Sequence, residues 1–200
     1  MSRSIQKEIN RENLLNQGVA LLMQQGYHGT GLKEILDAVQ IPKGSFYNYF
    51  GSKENFGVAV IEHYITPYIE QLTAYLNEPN ADALAALERY LDETIAELER
   101  TEFKGGCLLG NLMGEIGDNS DACRAALQRS VLRYRDIWAV GLAKAQEQGT
   151  IRNDKSAIEM ADLWVNAWQG ALLRMKVELS IAPLEQCRQL LLNDFFSPST

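Results

Sequence analysis

The sequence has few prolines, few cysteines, only two histidines and no long apolar run. Proline makes up 5 of 200 residues, about half of its usual share, which favours helix. No apolar run approaches the roughly 18 residues that a membrane helix requires. Charged residues at Arg3, Lys7, Glu8 and Glu12 deny the amino terminus the apolar core of a signal peptide. We therefore expect a cytoplasmic protein.

The few residues with metal-binding or nucleophilic chemistry form no recognised motif. Cys107, Cys123 and Cys187 lie far apart, which argues against a disulfide framework or a zinc knuckle and predicts free thiols. His28 and His63 stand outside any HExxH pattern. A phosphate loop, a dinucleotide fingerprint and a nucleophile elbow are also missing. We expect no catalytic residue, no metal, no cofactor and no enzymatic activity.

The net charge of −7 is unevenly distributed. Residues 1–53 carry six cations and four anions, whereas the remaining residues carry 13 cations and 22 anions. An excess of acidic residues over the whole chain argues against nucleic-acid binding, but the local charge of a segment determines whether that segment can bind an anionic partner. The amino-terminal segment retains a positive balance that suits an anionic partner.

Apolar residues recur at helical spacing along the chain without the two-residue alternation of strands, which predicts an all-α fold. A first helix is expected to stop at Gly26, and Thr30 can cap the next. Leu32 and Val39 span the apolar face of a helix only about two turns long. A second short helix follows at about 43–49, with Phe46 facing inward. Ser52 can cap a longer helix, in which Pro67 predicts a kink or an end.

Two short helices joined by a tight turn are typical of a helix-turn-helix, whose second helix enters the major groove of DNA. With Phe46 and Phe50, one helical turn apart, facing inward, several polar or aromatic side chains face outward: Lys43, Ser45, Tyr47, Asn48 and Tyr49. Gly44 permits close backbone approach to a phosphate, and Lys53 adds a cation beside the N–H groups of the next helix. The same residues could instead be half-buried packing and solvated charge.

At these positions the sequence resembles the TetR/AcrR family of transcriptional regulators. The matching residues are Gly26-Tyr27, Thr30, the run from Pro42 to Phe50, and Ser52-Lys53-Glu54. The resemblance implies a DNA-binding domain at 1–56 and an effector-binding and dimerisation domain at 57–200. It implies phosphate contacts for Thr30, Lys43, Tyr47, Tyr49 and Lys53, and places Gly44, Ser45 and Asn48 near bases.

The last two predicted helices, at about 155–180 and 184–196, favour a homodimer. They carry more apolar surface than one helix pair covers readily: Met160, Leu163, Trp164, Ala167, Trp168, Ala171, Leu172, Met175, Leu184, Leu190 and Leu191. The resemblance implies that these helices pack against the same two helices of a second subunit and form a four-helix bundle. The alternative is an ordinary monomeric core.

The resemblance also implies a small-molecule pocket among the middle helices. Its predicted lining residues have apolar bodies and a few polar tips: Tyr64, Tyr68, Tyr90, Met113, Tyr134, Trp138 and Trp168. Any one of them could instead be plain core, the more common role of such residues.

Cys107 follows two glycines at the predicted start of a helix, where unpaired N–H groups favour a thiolate. The run Gly106-Cys107-Leu108 resembles the NemR-like, electrophile-sensing branch of the family, which implies a redox sensor. A free cysteine also packs as a small apolar residue.

The sequence thus predicts a homodimeric repressor, released from a palindromic DNA operator by a small molecule or by cysteine modification. The alternatives are a helical dimeric small-molecule-binding protein without a DNA role and, third, a thiol-dependent helical enzyme.

Overall fold

The computed structural model describes residues 3–198, and in this part of the chain every regular element is a helix. This confirms the all-α prediction. The α-helices are α1 (Arg3–Gly29), α2 (Leu32–Val39), α3 (Lys43–Phe50), α4 (Lys53–Leu76), α5 (Ala83–Arg100), α6 (Leu108–Ile116), α7 (Asp121–Glu147), α8 (Ala157–Glu178) and α9 (Ala182–Arg188). A π-helical segment, Gln189–Phe195, continues α9.

Two helical segments meet at a kink within α1, where the backbone of Gly26 is not helical. Gly26 has φ 72° and ψ 179°, a conformation that glycine adopts without the steric cost that a Cβ brings. The first helical segment therefore ends at Gly26, as predicted, and a short second segment continues to Gly29.

The predicted cap of α2 is wrong. Gly31 occupies the capping position and offers no side chain. The Thr30 hydroxyl instead donates to the carbonyl oxygen of Gly26 at 2.6 Å. Thr30 thus fastens the bend of α1 rather than the start of α2.

Helix α4 begins as predicted and continues past its proline. The Ser52 hydroxyl accepts a hydrogen bond from the Asn55 N–H at 3.0 Å, which confirms the predicted cap. Pro67 removes one backbone donor, yet the helix reaches Leu76.

The helices pack into two compact units. The first contains the chain up to Thr66 together with Leu108–Ser130, and the second contains Pro67–Cys107 and the chain from Val131 onward. Packing therefore groups α6 and the first turns of α7 with the amino-terminal helices. The boundary at residue 56 concerns function and stays a prediction.

No helix in the described part of the chain is both long enough and apolar enough to span a membrane.

Candidate nucleic-acid interface and effector region

Three phenylalanines anchor α3 in the first unit. The Phe46 ring lies 5.3 Å from that of Phe50 and 5.2 Å from that of Phe56, and the latter two rings are 4.9 Å apart. All three side chains are buried, and aromatic pairs at these distances stabilise a core beyond simple burial. The inward face of α3 is therefore fixed, as the four-residue spacing of Phe46 and Phe50 predicted.

The opposite face of α3 is open to solvent. Lys43, Gly44 and Asn48 are exposed, and the Tyr47 side chain is 45% exposed. The Lys43 ammonium lies 6.0 Å from the centre of the Tyr47 ring. A cation, an aromatic hydroxyl, an amide and a glycine thus share one surface on a short, rigidly anchored helix.

Ser45 and Tyr49 are half-buried. They border the exposed face of α3, so they can contribute only part of their side chains to a partner.

Thr30 and Lys53 hold structural contacts. Thr30 is fully buried. The Lys53 ammonium donates to the carbonyl oxygen of Tyr27 at 2.8 Å and lies 4.5 Å from the centre of the Tyr27 ring. Burial lowers the pKa of Lys53, and the nearby Glu115 carboxylate opposes this shift.

Glu115, at the end of α6, is a residue that sequence reasoning missed. Its carboxylate accepts hydrogen bonds from the backbone N–H groups of Tyr27 at 2.8 Å and His28 at 2.6 Å. A Cβ on Gly26 would lie 2.5 Å from the same carboxylate, so glycine there also makes room for the contact. No local pattern could reveal it, because 88 residues separate Glu115 from Tyr27.

Two further contacts tie α4 to the start of α7. The Ser120 hydroxyl donates to the Glu54 carboxylate at 2.6 Å. The Arg129 guanidinium donates to the Glu62 carboxylate at 2.7 Å. The amino-terminal helices are thus held by α6 and α7 at several separate points within the first unit.

The second unit encloses an aromatic cluster. Trp138 stacks on Trp164 with ring centres 4.6 Å apart, and Trp164 stacks on Trp168 at 5.2 Å. These are the three tryptophans of the chain. Trp164 was not among the predicted pocket residues, and its indole nitrogen is buried without a hydrogen-bond partner in the described structure.

Two predicted pocket tyrosines join this cluster. The hydroxyls of Tyr90 and Tyr134 lie 3.2 Å apart, and each ring contacts Trp138 edge-on. Burial raises the pKa of Tyr90 well above its usual value and that of Tyr134 to about 12. Both tyrosines are therefore neutral hydrogen-bonding groups at physiological pH.

Tyr68 lines a partly open cavity of about 320 Å³ between α4 and α5, with Gln71, Glu93 and Thr94 also on its wall. The remaining two predicted pocket residues belong to the first unit. Tyr64 is buried there and Met113 is 39% exposed.

All three cysteines are free thiols, as predicted. Cys107 is half-buried and lies immediately before the first residue of α6. Cys123 is buried, and burial raises its pKa. Burial also raises the pKa of Cys187 to about 11.

Helix α8 has two apolar faces. Most of the large apolar residues of the last two predicted helices are buried within their own chain: Met160, Trp164, Trp168, Ala171, Leu172, Met175 and Leu184. For these side chains the structure supports the alternative of a core within one chain. The other face leaves Leu163, Leu173 and Val177 exposed at 41%, 45% and 83%.

Models of two protein families match most of the chain. Residues 14–60 match "Bacterial regulatory proteins, tetR family", and residues 83–191 match "Tetracyclin repressor-like, C-terminal domain".

Individual relatives align over nearly the full length. The chain is 33% identical to the HTH-type transcriptional repressor DhaR of Mycobacterium sp. (strain GP1), over 88% of this chain and 87% of that protein. It is 31% identical to the HTH-type transcriptional repressor NemR of Escherichia coli (strain K12), over 94% and 95% of the two chains.

Solved structures of similar chains superpose closely. The reduced form of E. coli NemR gives a TM-score of 0.84 at 31% identity, covering 92% of this chain and 95% of that one. A regulatory protein TetR from Rhodobacter sphaeroides gives 0.83 at 33% identity, covering 92% and 97%.

Proposed function

This chain belongs to the TetR family of bacterial DNA-binding transcriptional regulators, and from that premise we propose that it is a homodimeric repressor that an effector releases from a palindromic operator. The proposal assigns it no catalytic step. The observation that carries it is the exposed face of α3, where Lys43, Tyr47 and Asn48 project from a helix that buried phenylalanines hold in place.

Each exposed group on α3 has a role that suits duplex DNA. The Lys43 ammonium and the Tyr47 hydroxyl suit phosphate oxygens, whereas the Asn48 amide can pair with the edge of a base. Gly44 has open space around its Cα, so backbone there can come close to the duplex. Ser45 and Tyr49 reach the edges of the same surface.

Thr30 and Lys53 contribute to DNA binding mainly through the backbone that they hold. The Lys53 ammonium is already engaged with the Tyr27 carbonyl. In this proposal the first turn of α4, rather than the free end of the lysine, faces a phosphate with its N–H groups.

A small helix-turn-helix domain makes few base contacts, so useful affinity for DNA requires two copies of it on one duplex. The exposed face of α8 is the surface that we assign to dimerisation. Leu163, Gly170 and Val177 follow one another at seven-residue intervals with Asn166 and Leu173 between them, which is the spacing of a helix-pairing seam. Nothing lies within 4 Å of a Cβ placed on Gly170, so a partner helix can approach it closely.

The aromatic cluster of the second unit is the proposed effector region. Stacked tryptophans, the buried Trp164 N–H and the Tyr90–Tyr134 hydroxyl pair suit a planar apolar molecule with a hydrogen-bond acceptor. Tyr68 lies on α4 and lines the cavity between α4 and α5. Modification of Cys107, directly before α6, is the second proposed trigger.

Release then requires that a change in the effector region reaches α3. Helices α4 and α7 each contribute residues to both compact units. Contacts of Glu115, Ser120 and Arg129 hold α1 and α4. Displacement of α6 or α7 would therefore move the two helix-turn-helix domains of the dimer away from the spacing of successive major grooves, about 34 to 36 Å. A coupling free energy of about 1 to 3 kcal/mol is typical.

The test is binding to a duplex selected by the purified protein from a random-sequence library. We expect Lys43→Ala to weaken binding to every sequence and to lower the slope of log affinity against log salt by about one. The matched control is Lys155→Ala, which removes an exposed lysine from the loop before α8. Equal salt slopes for wild type and Lys43→Ala would remove α3 from the interface, and failure to retain any duplex would favour a helical binding protein without a DNA role.

A further inference from the structure

The first turns of α1 carry a basic stripe that the helix-turn-helix motif does not include. Lys7 and Arg11 are four residues apart within α1, so their side chains share one face of the helix. Like charges at this spacing repel one another and destabilise an isolated helix. A chain with a net charge of −7 nevertheless keeps both cations here.

The two cations are not neutralised within the described part of the protein. Both are exposed, and the ion pairs found between residues 4 and 198 involve other arginines and lysines. Glu8 and Glu12 each follow a cation by one position, about 100° around the helix, where they do not face it. Glu8 also precedes Arg11 by three positions, but the ion pairs of the described residues do not include these two side chains. The stripe is therefore available to an external anion.

Ring contacts place the stripe beside the carboxyl end of α3. The Lys7 ammonium lies 5.9 Å from the centre of the Tyr49 ring, and the Arg11 guanidinium carbon lies 5.6 Å from that of Phe50. Tyr49 and Phe50 are the last two residues of α3. The stripe on α1 thus borders the carboxyl end of the helix whose exposed face carries Lys43.

We propose that Lys7 and Arg11 form a second phosphate-binding strip, which extends the DNA interface from α3 along α1. This inference rests on the proposed function. Phosphates line both edges of a major groove about 12 Å wide, so a helix packed at the end of the inserted helix faces the strand at one edge. The strip binds the backbone without reading bases, and it adds affinity and orientation rather than sequence preference.

Neutralising Lys7 and Arg11 should weaken DNA binding without affecting the fold, whereas neutralising ordinary solvated cations should change neither. Phe50 is held by its contacts with Phe46 and Phe56, so neutralising Arg11 leaves the aromatic anchor in place. We expect the double variant Lys7→Gln/Arg11→Gln to fold with an unchanged helical spectrum and to lose only external binding energy.

The experiment measures affinity for the library-selected duplex as a function of potassium chloride concentration. For the double variant we expect binding to weaken about tenfold or more at moderate salt, and the slope of log affinity against log salt to fall by about two, since each lost phosphate contact removes roughly one unit. Arg133→Gln/Lys155→Gln is the matched control: both residues are exposed, both are outside the first unit, and the net charge change is the same. The charge-preserving variant Lys7→Arg/Arg11→Lys should keep the wild-type slope.

Phosphate ethylation interference gives a second readout that does not depend on comparing stabilities. Ethylated phosphates at one edge of the groove should impair wild-type binding and should not impair binding by the double variant. A wild-type slope and an unchanged interference pattern in the double variant would overturn the proposal while leaving α3 as the reading helix. Absence of duplex binding by the wild-type protein would overturn the proposed function itself.

Discussion

The Glu115 carboxylate holds the backbone N–H of Tyr27 at 2.8 Å across 88 residues of sequence. Tyr27 in turn offers its carbonyl oxygen to Lys53 at the first position of α4. The backbone of Tyr27 is thus bonded to α6 through its N–H group and to α4 through its carbonyl oxygen. Any movement of α6 must therefore either break the hydrogen bond between Glu115 and Tyr27 or move this part of α1 with it.

Replacing Glu115 by Ala should destabilise the protein by about 1 to 3 kcal/mol, because hydrogen bonds to a charged acceptor are lost and two backbone donors remain unsatisfied by protein. Chemical denaturation monitored by circular dichroism measures the change. Glu99→Ala removes an exposed carboxylate from α5 and should be neutral within about 0.5 kcal/mol. Equal stabilities of the two variants would show that the contact contributes nothing to the fold.

Replacing Gly18 by Ala should destabilise the first unit by about 1 to 3 kcal/mol through overpacking. A Cβ there would lie 2.5 Å from the Phe56 ring and 2.7 Å from a Val60 methyl group, closer than atoms tolerate. Gly114→Ala is the matched control, because nothing surrounds that position within 4 Å. The control should stabilise α6 by roughly 0.5 to 1 kcal/mol. Thermal unfolding compares the two, and a stabilising Gly18→Ala would contradict the packing described.

The helix-turn-helix was predictable because its determinants are local. Phe46 and Phe50 are one turn apart, and Gly26 is the residue type that a left-handed backbone requires. The family followed from these short stretches, whereas the all-helical fold followed from the spacing of apolar residues along the whole chain, and both predictions are confirmed. The structural role of Lys53 was not predictable, since its partner is a carbonyl oxygen 26 residues away that carries no sequence signature.

Helix α8 shows the limit of periodicity. Its apolar residues cover more than one face, so the pattern cannot tell the buried face with Trp164 and Trp168 from the exposed face with Leu173 and Val177. Only the packing of the chain separates the two faces. The predicted pocket tyrosines raise the same difficulty, because core and pocket use the same residue types.

Glutamate at Leu173 or Val177 should prevent dimerisation, since a buried unpaired charge at a helix seam is costly. We expect each variant to sediment as a folded monomer where the wild type sediments as a dimer, and to bind operator DNA far more weakly. Val140→Glu, at a 47% exposed position of α7, should sediment like the wild type. A dimer that survives both α8 substitutions would exclude this face as the interface.

N-ethylmaleimide should release the selected duplex from the wild-type protein but not from Cys107→Ser. Thiolates react with this reagent, and a pKa of about 11 leaves little thiolate at Cys187 near pH 8. The Cys187→Ser variant should therefore release the duplex at pH 8 as the wild type does. Mass spectrometry identifies the cysteine that carries the adduct. Release of DNA from Cys107→Ser would reject the sensor role.

The most direct test of the central claim is retention of fragments of the protein's own genome by the purified, effector-free chain at low ionic strength. The account predicts enrichment of a small set of fragments that share an inverted repeat, its halves about one helical turn or a multiple apart, with binding that weakens steeply as salt is added. A correctly folded dimer that retains no fragment above background would contradict it.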